Sequence, residues 1–109
     1  MGMDQKVLFA PDRLPAWPQI REAFIAAGQP VQMRMIDGQL AFPDEEPPAD
    51  WRELRVGTTA GMISLRREAD GLALVVWGNA DPPLRASWNA LATALVTLTG
   101  GRVQAGESA

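Results

Sequence analysis

The segment Val31–Phe42, VQMRMIDGQLAF, decides the fold. Val31, Met33 and Met35 alternate with Gln32 and Arg34; Asp37-Gly38 interrupts, and Leu40 and Phe42 resume the pattern. Alternation with period two signals a strand. Asp-Gly between two such runs predicts a two-residue type I′ turn, because both central residues need positive φ. That turn pairs Ile36 with Gln39, Met35 with Leu40 and Met33 with Phe42. The last two pairs gather four apolar side chains on one face and leave Arg34 and Ala41 on the other, so turn and pattern select one register.

Working outward, Pro43–Asp50 (PDEEPPAD) holds three prolines and four acids and reads as a solvated connection. Leu54 and Val56 then share one face, with Trp51, Glu53 and Arg55 on the other. After a turn at Gly57–Gly61, Ile63 and Leu65 alternate with Met62, Ser64 and Arg66. Asp70-Gly71 repeats the hairpin signal and, as a two-residue turn, pairs Arg66 with Val75 and Ser64 with Trp77. Leu72–Trp77 is apolar on both faces, as a central strand should be.

On the N-terminal side, Lys6–Phe9 reads as a short strand and Asp12–Gly28 as a helix. Pro15 and Pro18 fit its first turn, and Ile20, Phe24 and Ala27 share a face. On the C-terminal side, Asp81 and Pro82 are helix-start signals. Leu84, Trp88, Leu91, Leu95 and Leu98 form one continuous stripe, and Gly100-Gly101 ends it. The opposite face carries Ser87, Asn89, Ala90, Thr93, Ala94 and Thr97 with no charge after Arg85, although a solvated helix face normally bears charges.

The expected architecture is one α+β domain over residues 1–109, in the order β-α-β-β-β-β-α. Four to five antiparallel strands form its sheet, with two helices packed on one face and residues 1–5 and 103–109 as frayed tails. The same order occurs in the helix-grip, TATA-binding-protein-like class, an analogy of fold that transfers no function.

Composition narrows the chemistry. The chain has no cysteine, histidine or tyrosine, and its only lysine is Lys6. Disulfides, zinc-thiolate sites and Cys- or His-based catalysis are therefore excluded, and no phosphate-binding loop or nucleophile elbow is present. No catalytic residue, metal ligand or cofactor is assigned. Asp44, Glu45 and Glu46 are adjacent but lack the spacing of a calcium loop, and read as a solubilising loop. A net charge of −3 argues against nucleic acid as a partner. Residues 1–10 show no secretory pattern and no stretch is long enough to span a membrane, so a cytoplasmic location is expected.

What remains is surface. If helices cover one side of the sheet, alternation places Arg34, Trp51, Arg55, Met62, Arg66 and Trp77 on the other, where exposed aromatics with arginine suit a protein partner. The charge-free helix face, with Asn89, Thr93 and Thr97, points to self-association. The leading expectation is a non-enzymatic interaction or regulatory domain acting as a homo-oligomer. A second reading is a small apolar ligand held between sheet and helices, where Met33 and Met35 adapt to its shape. A third, base stacking on Trp51 and Trp77, is opposed by the acidic charge.

Overall fold

A computed structural model describes residues 2–77 and 80–105. The strands are β1 (Gly2–Leu8), β2 (Gln32–Ile36), β3 (Gln39–Leu40), β4 (Glu53–Thr58), β5 (Gly61–Glu68), β6 (Gly71–Trp77) and β7 (Arg102–Ala105); the helices are α1 (Trp17–Ala26) and α2 (Pro82–Thr99). All strand pairs are antiparallel, in the order β3-β2-β4-β5-β6-β1-β7. The α+β class holds, with more strands than expected.

Both termini of the described chain are built into the sheet. Residues 2–5, expected to fray, belong to β1, which pairs with β6 from Gly2↔Trp77 to Leu8↔Gly71. Residues 102–105 pair with the other edge of β1, from Leu8↔Arg102 to Gln5↔Ala105. The expected tail at 106–109 lies outside the described residues.

Alternation sends Val7, Leu54, Val56, Ile63, Leu65, Leu72 and Leu74 beneath the helices, where all are fully buried. Ile20 and Phe24 of α1 and Leu91 and Leu95 of α2 close the core from above. Fully burying a side chain of this size contributes roughly 1.5–3 kcal/mol. Trp17 is buried, and Trp88 is half-buried with its indole N–H donating to the Leu74 carbonyl (2.8 Å).

Helix α1 starts later than expected. Pro15 keeps Leu14 extended (ψ 118°), as a following proline does, so Pro11–Arg13 forms a separate 3-10 turn and Pro18 alone occupies the first turn of α1. Helix α2 has the expected bounds: the Asp81 carboxylate accepts from the Leu84 N–H (3.1 Å), and Gly100 takes the left-handed conformation (φ 72°).

The first hairpin turns as expected, with Asp37 at φ 50° and Gly38 at φ 84°, and with Met35↔Leu40 and Ile36↔Gln39 paired. The expected faces fail. A bulge between Met33 and Met35 sets Met33 opposite Val56 but Met35 opposite Arg55, because one extra residue inverts the alternation beyond it. Met33 is buried among the core residues, whereas Leu40 is 88% and Phe42 75% exposed. Phe42 never pairs with Met33, whose N–H donates instead to the Pro43 carbonyl (3.0 Å).

The second hairpin turns at Ala69-Asp70, one residue earlier than expected, giving Ser64↔Val75, Arg66↔Ala73 and Glu68↔Gly71. The register moves by two, so every side chain keeps its face.

Candidate functional site

The sheet side away from the helices is uncovered. Tracing the register across it gives one row of Leu40, Met35, Arg55, Ser64, Val75 and Asp4, and a second of Glu53, Arg66, Ala73, Lys6 and Gln104. Ala73 is fully buried although no helix covers it. Its cross-strand neighbours are Lys6 and Arg66, whose long aliphatic stems are of the kind that cover apolar surface. At one end of this face Met62 pairs with Gly57, and Trp77, 62% exposed, lies opposite Gly2, which offers no side chain to shield the indole.

Arg34 is the bulge residue, and its side chain crosses Gly57, where a Cβ would stand 2.9 Å from the arginine Nε. Arg55 lies beside Met35 and Ser64. The ion pairs among the described residues are Lys6–Asp70 (3.1 Å) and Arg66–Glu68 (3.6 Å), and neither engages Arg34 or Arg55. Exposed pairs of this kind contribute about 0–1 kcal/mol, so ion pairing among the described residues holds the arginines of this face only weakly.

Five of the six residues expected on this face are there: Arg34, Arg55, Met62, Arg66 and Trp77. Trp51 is not. It precedes β4, outside the alternation, and is 2% exposed on the helix side. The Arg67 guanidinium stands 4.7 Å from its ring centroid. Sequence reasoning passed over Arg67, whose signal was its place in the inward phase of β5, between Leu65 and the turn.

The outer face of the helix layer is the second surface. A groove of about 670 Å³ between α1 and α2 is lined by Ala23, Ala26, Ala27, Ala90, Thr93, Ala94, Thr97 and Leu98. Thr93 donates its hydroxyl to the Asn89 carbonyl (3.1 Å) and Thr97 to the Thr93 carbonyl (3.2 Å). Both hydroxyls are thereby satisfied within their own helix, which makes the groove more apolar than its composition suggests. Asn89 does not line it; its side-chain oxygen accepts from Gln5 Nε2 (3.2 Å) and ties α2 to β1.

The bulge divides Met33 and Met35, expected together on the helix side as the lining for an apolar ligand, between opposite faces of the sheet. No group of three or more acidic side chains among the described residues converges on a metal position. Asp37 serves structure: its carboxylate accepts from the Arg52 and Glu53 N–H groups (2.8 and 2.9 Å) and is held below the usual carboxylate range by the backbone N–H of Glu53 and then of Arg52. Gly78 and Asn79, before α2, lie outside the described residues. No helix among the described residues is long and apolar enough to cross a membrane. No protein-family model, curated protein or solved structure matches this chain.

Proposed function

We propose that this protein is a non-enzymatic interaction domain that acts as a homodimer. Two copies meet through their helix layers, leaving both open sheet faces outward for a partner. The observation that carries the reading is the groove of alanine, leucine and threonine between α1 and α2, with no charge in its lining. A second copy suits it better than a foreign protein. Discrimination between partners relies on patterned charge and hydrogen bonding, and this surface has neither, whereas a neutral patch meets its two-fold mate without electrostatic conflict.

The sheet face has the opposite character. Trp77, Met62 and Leu40 are exposed apolar anchors beside Arg34, Arg55 and Arg66, the combination enriched at interface hot spots. A partner offering acidic groups around an apolar segment fits it.

Light scattering on the eluting protein at micromolar concentration tests the dimer. The expected mass is about twice the 11.8 kDa of the chain. Thr93→Glu, which buries an unpaired charge at the contact, is expected to halve that mass without changing the circular dichroism spectrum. A wild-type protein that elutes as a strict monomer refutes the proposal.

A further inference from the structure

A cavity of about 300 Å³ lies on the helix side, where the Pro-rich connection between β3 and β4 passes under the start of α1. Trp17, Trp51, Pro15, Pro47 and Pro48 form flat apolar walls, and Arg67 enters from β5. This is the size of the smallest ligand pockets, and its make-up, apolar walls with one oriented polar group, is theirs too.

Arg67 is the informative residue. Its guanidinium lies against the Trp51 ring, and Nη2 donates to the Ala49 carbonyl (2.9 Å). Its Nε is fully buried and has no acceptor. Neither ion pair among the described residues involves Arg67. An enclosed donor without an acceptor is destabilising, and buried polar atoms in folded proteins are rarely left so. A stacked guanidinium with spare donors is also a preferred receptor for planar oxyanions. Glu46 also lines the cavity, and its negative charge opposes a polyanion more strongly than a single carboxylate.

We infer that this cavity is a binding site for a small cyclic monocarboxylate, whose ring lies between the tryptophan and proline walls and whose carboxylate accepts from Arg67. The inference is independent of dimerisation, because the cavity and the α1–α2 groove share no lining residue.

The test uses benzoate as probe, followed by the indole N–H resonances of the four tryptophans in the ¹⁵N-labelled protein. Saturable shifts confined to Trp17 and Trp51 are expected, with Trp77 and Trp88 unmoved relative to an equal concentration of sodium chloride. Benzamide, which keeps the ring and loses the charge, is expected to bind at least about tenfold more weakly. Arg67→Lys, which keeps the charge and removes the planar fork, is expected to weaken benzoate by a similar factor. The wild-type titration stands by itself if that variant unfolds. Absent or non-saturating shifts, shifts shared by all four indoles, or equal binding of benzamide overturn the assignment.

Discussion

Gly71 follows Asp70 in what the sequence presents as a turn dipeptide, yet its glycine is needed for contact. The turn pair is Ala69-Asp70, and Gly71 stands in β6 at φ 153°, where a Cβ would run into the Val7 carbonyl oxygen of β1. Gly71→Ala is therefore expected to lower the unfolding free energy by roughly 2–4 kcal/mol. Gly38→Ala, with open space around its Cβ, should cost only about 1–2 kcal/mol for its left-handed backbone; urea unfolding compares the two. Asp37 makes a pH-dependent contribution of known sign. Its native pKa lies below the unfolded value, so the contribution is complete above about pH 4 and is lost as pH falls through the native pKa. Asp37→Asn keeps an acceptor but not the titration. Urea midpoints taken from pH 6 to pH 2 are expected to fall more steeply for the wild type than for this variant.

Elements whose signals are local were legible, and those that depend on a neighbour were not. Helix α2 carries its own cap, proline, stripe and terminating glycine within one stretch, so its bounds follow from the chain alone. Asp81→Ala removes the acceptor for the Leu84 N–H and should cost about 1 kcal/mol, readable as a lowered midpoint in thermal unfolding with no change in fold. Strand β2 is the contrary case: its turn was legible in Asp37-Gly38, but its bulge arises from pairing with β4 and from the Met33 N–H turning to Pro43. That single inserted residue moved Met35 and Leu40 out of the expected core. Strand β7 had only a weak sequence signal. Arg102, Val103, Gln104 and Ala105 alternate, but four residues are too few to announce a strand, and they become one because the exposed edge of β1 offers them hydrogen bonds.

At the scale of the molecule, the two-residue shift of the second hairpin did no harm to the reading of the open face, since a shift of two preserves parity. Trp77 and Arg66 therefore remained where alternation placed them, and of the six residues expected on that face Trp51 alone, outside the strand, lies elsewhere. The cavity beneath Trp51 was illegible for the same reason: it is assembled from a loop, a helix start and the end of a distant strand, with no spacing in the chain to announce it. The position of β1 between β6 and β7 has a kinetic consequence. Val7 pairs with Leu72 on one side and Val103 on the other, so β1 gains its first neighbour only when β6 is in place and its second only with β7. Such long-range closure slows folding. Until it happens, the nascent chain exposes unpaired strand edges, the state in which sheet proteins aggregate.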